Sequence, residues 1–443
     1  MEQTAKKTTA IKSTEAAKKV RLMVGNMYRR AHEAKDQGRP VAYVMGSCLV
    51  EEMARAMGIE LVYTENYAGL CAAKRQTDRF LEKSCIEGYP NHLCGYARNG
   101  LGFDAMRKEL GEMPPDSPDG GMPMPDMLIC SSQACDTRYK WYQALGRYME
   151  APVYCLDVLN PPKDADVRKV KEGYVTYQVE ELKGLVEFLE RQAGKKMDWE
   201  KLDHHIDIAD ETQRIWWEVN ELRKAIPSPM PTADHANIMF PPSFMLGTQE
   251  ALDFIKEVYH EVRYRVDNRI GVIPGEKYRL LWGLGLPPFH SLRIMNYFQE
   301  YGGVLCIEYI YRPWLPAAFM DIPKGTHPLE RLARRFYGQW TEWHDRSQRG
   351  CGDPIAQTIL DWIESYKIDG IVEHQTFSCR FWGTGQIHVL NVIKEHKEVP
   401  ILFLTGDIID ITSYSDAETR VNIQAFMEVV DAHKKKKESA EVR

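Results

Sequence analysis

The sequence predicts an α/β protein made of two Rossmann-like, flavodoxin-like parallel-sheet lobes with a mainly helical region between or over them, and three observations lead there. Apolar runs of strand length alternate with helical patterns over residues 38–174. The same grammar returns over 271–443 without visible sequence identity, and the 175–270 stretch between them is mainly helical in pattern. At 443 residues the chain is also too long for one ordinary core.

In chain order, residues 1–37 form an N-terminal helical arm, rich in Ala, Lys, Arg and Glu from 12 to 36 and stopped by Gly38-Arg39-Pro40. VAYVMG (41–46) and IELVYT (59–64) read as strands with the helical LVEEMARAMG between them. MLICSS (127–132) and PVYCLDV (152–158) complete the first lobe, with a Pro-, Gly- and Met-rich loop at 111–126 as a candidate lip over a pocket. The helical stretches YQVEELKGLVEFLERQAG, MDWEKLDHHIDIADETQRIWWEVNELRKAIPSP and GTQEALDFIKEVYHEVRYRVDNRI follow, broken by prolines at 227–231 and 241–242. The adjacent Trp216 and Trp217 inside them read as packing before they read as a ligand platform. In the second lobe YRLLWGLG (278–285), VLCIEYIY, DGIVEH (369–374) and PILFLTGD (400–407) read as strands, SLRIMNYFQEYGG and 353–367 as helices.

The 57 Lys and Arg against 63 Asp and Glu leave a formal net charge of -6, so no global field draws nucleic acid. MEQTAKKTTAIKSTEAAKKV lacks the apolar core of a signal peptide and no run of 18 apolar residues follows, so a soluble, cytoplasmic protein without membrane association is expected. Ten cysteines are many for that compartment, where disulfides are disfavoured, and they raise the choice between buried thiols and metal ligands. There is no CxxC, GxxxxGK[ST] or GxGxxG, so ferredoxin-like modules are excluded, and ATP and NAD are expected to be handled elsewhere.

Ligands in open α/β sheets gather beyond the carboxyl ends of the strands, usually at helix starts. Cys94 before YARNGLG, Cys135 before the helix beginning at Asp136, and Cys379 in HQTFSCRFWGTG fit that position, two from the first lobe and one from the second. Thiolates are soft ligands that suit an iron–sulfur cluster or zinc, and helix N-terminal N–H groups offset their charge. On the residues alone, buried thiols, zinc and a cluster all remain open. Cys130, Cys155 and Cys306 fall inside strand patterns and read as core thiols, Cys85 is an alternative ligand, and Cys48, Cys71 and Cys351 are unplaced.

The ordered segments GSCLVEEMARAMGIELVY, YPNHLCGYARNGLG, DMLICSSQACDTRYKWY, LLWGLGLPP, IDGIVEHQTFSCR and TGDIIDITSYSDAETRVNIQAFMEVV resemble the benzoyl-CoA reductase and 2-hydroxyacyl-CoA dehydratase family from about residue 38 to 432. The resemblance implies a [4Fe-4S] cluster on Cys94, Cys135 and Cys379, with the fourth position open or linked to substrate. It also implies a paralogous cluster-binding partner subunit, ATP-hydrolysing iron–sulfur activator subunits, a ferredoxin-like electron donor and an acyl-CoA substrate. Where family members commonly carry Pro before Glu, this chain has MGSCLVEE, and Ser47 is the match to a serine near the substrate oxygen, with a plain helix cap as its alternative role.

His374, just past a strand end, is a candidate donor to a thioester oxygen or a structural group. Asp407, Asp410, Arg420 and Gln424 are candidates for a network near the cluster, and Arg138, Lys140 and Arg380 for contacts to CoA phosphates, with capping, lobe pairing and surface charge as the plainer readings. Length, CGYARNGLG and the altered first turn look like the larger cluster-bearing subunit of an ATP-dependent benzoyl-CoA reductase, which reduces an aromatic acyl-CoA by two electrons to a cyclohexadienoyl-CoA. The alternatives are a 2-hydroxyacyl-CoA dehydratase subunit, forming a 2-enoyl-CoA through a ketyl radical, and a non-catalytic electron-transfer or scaffold subunit.

Overall fold

The computed structural model describes residues 13–46, 49–133, 135–162, 165–319 and 322–441. The first sheet comprises β1 (Val41–Val44), β2 (Glu60–Tyr63), β3 (Met127–Ser131) and β4 (Val153–Leu156), in the order β2-β1-β3-β4. The second comprises β5 (Tyr278–Trp282), β6 (Gly303–Glu308), β7 (Gly370–Thr376) and β8 (Ile401–Gly406), in the order β6-β5-β7-β8. Every pairing is parallel, so both sheets share one topology, with a switch between the first and third strands of each. The rest is largely helical, and the flavodoxin-like expectation holds.

Burial explains the strand sequences. VAYV in β1 and MLICS in β3 are central and wholly buried, as continuous apolar runs covered on both faces should be. β4 lies at an edge, which leaves Val153 exposed and Cys155 half-buried, where its strand pattern predicts a core position. Cys130 faces Cys155 in register, and Cys306 is a buried core thiol pushed up to about 12 by burial.

The expected N-terminal arm is the helix Glu15–Asp36, whose Ala16, Val20, Met23, Met27, Ala31 and Ala34 make one buried stripe. Between the sheets run the helices Val167–Ala193, Trp199–Leu222 and Gln249–Asp267. Asp198 and Thr248 cap the last two by accepting from Lys201 N and Ala251 N. The segment SLRIMNYFQEYGG departs from the α-helical expectation: Phe289–Tyr301 is a tight 3₁₀ run kinked at Ser291. The helix Pro328–Gln348 has no counterpart in the sequence reading. Although it follows β6, its Leu332, Ala333, Phe336 and Tyr337 pack into the apolar cluster of the first sheet and the bridging helices.

Two buried ionic clusters fasten these parts. Arg223, at the end of the Trp199–Leu222 helix, makes a bidentate pair at 2.7 Å with Glu308, the last residue of β6, and His235 Nδ1 stands 2.8 Å from the same carboxylate. Burial pushes the Glu308 carboxyl up, but the Arg223 guanidinium, with His235 beside it, outweighs this and holds it at about 2. Trp216 belongs to this core and donates from Nε1 to His235 Nε2 at 2.9 Å, so packing is its role. In the second cluster Arg335 of the Pro328–Gln348 helix bonds Glu52 at 2.6 Å and Asp210 at 3.1 Å.

Removing one partner of such a pair leaves an uncompensated buried charge. Arg223→Met is expected to lower unfolding free energy by roughly 3–5 kcal/mol, whereas Lys18→Met, at the exposed pair with Glu15, shifts it by less than about 1 kcal/mol. Urea unfolding of both variants checks the contrast.

Candidate functional site

Cys94, Cys135 and Cys379 are each the N-cap residue of a helix, respectively Gly95–Leu110, Asp136–Met149 and Arg380–His396. Cys135 follows β3 and Cys379 follows β7, so both stand beyond the carboxyl ends of their sheets. Contacts one residue away draw the three helix starts together. Asp136 and Arg380, next to Cys135 and Cys379, face each other across the lobes at 3.5 Å. Asp407, after β8, accepts a short hydrogen bond from the Ser378 hydroxyl on Oδ2, while its Oδ1 accepts from Ile409 N at 2.9 Å and Asp410 N at 3.0 Å. Gly95 lies so close that a Cβ there would stand 2.6 Å from Asp407 Oδ1. Asp407 therefore fixes the residues beside both Cys379 and Cys94.

Burial pushes the Cys94 thiol far above its ordinary range, and charge on Cys379 and Cys135 pushes it further, against the opposing pull of the Ala97 N–H. Cys379 is raised in the same way, first by burial, with Cys135 and Glu65 adding to it and the Trp382 and Phe381 N–H groups opposing. Cys94 and Cys379 thus both lie close enough to Cys135 for its charge to raise them. Among the described residues no three His, Cys, Asp or Glu side chains converge closely enough to hold a single metal ion. The donor set, three soft ligands at three helix N-termini, fits a larger cationic group that can span them.

Around the cysteines lie residues that the sequence reading passed over. Glu65, just after β2, pairs bidentately with Arg138 at 3.0 and 2.9 Å, and Arg138 also donates to the Gly46 carbonyl after β1 at 3.2 Å. Arg138 is therefore committed to a carboxylate and the main chain. Tyr96, two residues into the Cys94 helix, is buried, and Tyr311, after β6, has a left-handed φ of 57°. Tyr311 feels the charges of Glu65, Arg138 and Cys379, although burial remains the main reason that its hydroxyl is raised. Phe377 and Phe381 expose their rings beside Cys379.

Ser47 lies outside the described residues. His374 is buried inside the second lobe, where Nδ1 donates to the Leu286 carbonyl at 2.6 Å and burial lowers its pKa to about 4, so the ring is neutral. Asp410 stands 3.7 Å from Arg98 and accepts from Thr412 N. Arg420 pairs with Asp416 and Glu300 over the Tyr297 ring, and Gln424 contacts Glu428. Lys140 is exposed and contacts Gln143, and Cys85 is exposed, 3.6 Å from Arg98 Nη2.

The comparisons with known proteins show the family. The family model for the D-component of 2-hydroxyglutaryl-CoA dehydratase matches residues 47–430. The chain belongs to that family. It is 25% identical to the (R)-phenyllactyl-CoA dehydratase alpha subunit of Clostridium sporogenes, covering 96% of this chain and 98% of that subunit. It is 24% identical to the lactoyl-CoA dehydratase alpha subunit of Anaerotignum propionicum, over 92% and 95% of the two chains. A benzoyl-CoA reductase subunit of Thauera aromatica is 23% identical, over 95% of each chain. The family thus includes subunits of both dehydratases and an aromatic reductase, and it accounts for nearly the whole chain. No helix among the described residues is long and apolar enough to cross a membrane.

Two consequences of the geometry can be measured. Asp407→Ala frees Ser378 and the turn at 408–410, with an expected loss of about 1–3 kcal/mol. In metal-free protein it should speed alkylation of Cys94 and Cys379 but not of Cys306, as read by peptide mass spectrometry. Glu373, beside His374, is enclosed, and burial raises its carboxyl to about 8 although Gln386 donates to Oε2 at 2.7 Å. Its folded form keeps a proton that the unfolded chain releases above its ordinary value of 4.5. The associated stability is full below that value and lost as pH rises through about 8. Glu373→Gln should flatten this fall, seen by denaturant titration at pH 5 and pH 8.5.

Proposed function

We propose that this chain is the cluster-binding subunit of a 2-hydroxyacyl-CoA dehydratase, eliminating water from a 2-hydroxyacyl-CoA to give a 2-enoyl-CoA. The observation that carries the reading is three half-buried N-cap cysteines from two lobes, with the residues beside them in contact, in a chain whose family model is a dehydratase component. The dehydratase relatives and that family description favour dehydration over the aromatic reduction expected from the sequence. Benzoyl-CoA reduction remains the second reading because one of the reductase's subunits matches over nearly the same length.

In this reading Cys94, Cys135 and Cys379 hold a [4Fe-4S] cluster, which supplies low-potential electron transfer to a thioester and an open iron when bound. The chain's own groups prepare the cleft. Helix N-termini and the N–H groups of Ala97, Phe381 and Trp382 compensate the thiolates. The Glu65–Arg138 pair fixes the ends of β1 and β2 beside them. The exposed rings of Phe377 and Phe381 keep water from the cysteine side once covered. Ser47 stays the candidate for the substrate side on the family resemblance alone, whereas His374 supports the Leu286 turn. A related second subunit and a separate ATP-hydrolysing activator complete the system.

Anaerobic purification with co-purifying subunits should give about four irons and four sulfides per copy of this chain. With activator, ATP and a reduced low-potential donor, lactoyl-CoA or phenyllactyl-CoA should lose water, as read by mass spectrometry. Cys94→Ser, Cys135→Ser and Cys379→Ser should each lose most of the iron and all turnover, while Cys306→Ser keeps both. Full iron content in all three variants would sink the ligand assignment. A gain of two electrons and two protons on benzoyl-CoA, with both hydroxyacyl-CoAs untouched, would move the assignment to the reductase.

A further inference from the structure

Cys130 of β3 and Cys155 of β4 are partners in register on neighbouring parallel strands, so their side chains leave the sheet on the same face. Neither is in a disulfide, and neither belongs to the site built on Cys94, Cys135 and Cys379. Adjacent strands lie about 4.8 Å apart, inside the roughly 4.4–6.8 Å between Cα atoms that a disulfide spans. The two thiols can therefore be bridged without a change of register. They differ in access: Cys130 is fully buried on a central strand, whereas Cys155 is half-buried on the edge strand. A small reagent reaches Cys155 first.

Such a bridge is not a relaxed one. Side chains facing each other across a strand pair start at about the strand spacing of 4.8 Å, wider than the roughly 3.5–4.5 Å between Cβ atoms of an unstrained disulfide. β4 ends its sheet and is held by one ladder, to β3, so it can tilt by the difference. Strain of this kind makes a disulfide more easily reduced, which is the property of labile bonds and not of structural ones. The Cys155 thiol is also held below its ordinary range, first by Cys130 beside it and against burial, and the more ionised thiol of a pair is the one that attacks. Two residues after Cys130, the Ser132 hydroxyl donates to Asp157 Oδ1 at 2.6 Å and accepts from Val158 N at 2.8 Å, while Ser132 N donates to the Leu156 carbonyl at 2.9 Å. The chain from this clasp runs directly to Cys135.

We propose that Cys130 and Cys155 are a redox modification site, a reversible dithiol–disulfide couple that staples β4 to β3 just before the segment leading to Cys135. The oxidant is a small-molecule disulfide. The Cys155 thiolate attacks one of its sulfurs, forming a mixed disulfide and releasing one thiolate. The Cys130 thiolate then attacks the Cys155 sulfur, forming the Cys130–Cys155 bond and releasing the second. The two protein thiols lose two electrons, the small disulfide gains them, and the two cysteine protons pass to the released thiolates. The couple does not depend on the acyl-CoA reading above.

The test treats the anaerobically purified protein, with its co-purifying subunits, with hydroxyethyl disulfide, blocks the remaining thiols by alkylation during unfolding, and reads the digest by peptide mass spectrometry. The peptides carrying Cys130 and Cys155 should appear joined, lighter than their sum by two hydrogens, and dithiothreitol should separate them. Cys130→Ser should stop at a hydroxyethyl adduct on Cys155, Cys155→Ser should leave Cys130 as a thiol, and Cys306→Ser should behave as wild type. Oxidised wild type should unfold at higher urea than the reduced protein, with no such shift in Cys155→Ser. A wild-type digest in which Cys130 is alkylated while Cys155 carries the adduct or is joined to another cysteine overturns the couple, and a joined pair with an unmoved urea midpoint overturns its stapling role.

Discussion

The placement of three half-buried cysteines at helix starts that face one another across two lobes is the constraint to which the rest of the molecule answers. Cys94 and Cys379 are raised first by burial and then by neighbouring cysteine charge, and neither effect is relieved by a nearby lysine or arginine among the causes that act on them. Arg138, the basic group closest in function, is spent on Glu65 and the Gly46 carbonyl. What opposes the rise is main-chain N–H groups, Ala97 at Cys94 and Phe381 and Trp382 at Cys379, which offer partial positive charge without a side chain that would fill the cleft. The two-sheet architecture is what makes this possible, since parallel sheets deliver helix N-termini to one edge.

Holding three such termini in register across two lobes requires rigid fastening elsewhere. Asp407 does this at close range, reaching Ser378, the 408–410 turn and the backbone at Gly95 with one carboxylate. The Arg223–Glu308 and Arg335–Glu52–Asp210 clusters do it at longer range, tying the bridging helices to β6 and to the helix after β1. Buried charges of this kind are poor sources of net stability compared with apolar packing, but they are selective about geometry. Their placement at the end of β6 and along the Pro328–Gln348 helix puts that selectivity on the segment carrying Tyr311.

The sheets were legible because buried parallel strands write themselves as short apolar runs: each run from VAYVMG to PILFLTGD is a strand, with ends shifted by a few residues. The capping positions of Cys135 and Cys379 were legible for a related reason, since each stands between a strand run and a helical pattern, whereas Cys94 follows a helix and was placed only by the YARNGLG helix after it. The Pro328–Gln348 helix was missed despite Pro at its first turn, because its charged exposed face dilutes the apolar stripe and its partners are some 150 residues away in sequence. Glu65 resembled any first-turn acid, which belongs at a helix start on dipole grounds alone. The left-handed φ of Tyr311 was not announced by a Gly or Asn at that position.

The same division explains why family membership leaves the acyl group open. Dehydration of a hydroxyacyl-CoA and reduction of an aromatic acyl-CoA, in the proposed reading, both begin with an electron placed on a thioester. In that reading the groups that serve the step sit at the sheet edges: the capping cysteines and the ion pair at the ends of β1 and β2. These features depend on where strands end and helices begin. Discrimination between a hydroxyl and a ring depends on side chains that meet the acyl portion. Such side chains can change while strand ends and helix caps stay fixed, so one scaffold can serve both reactions.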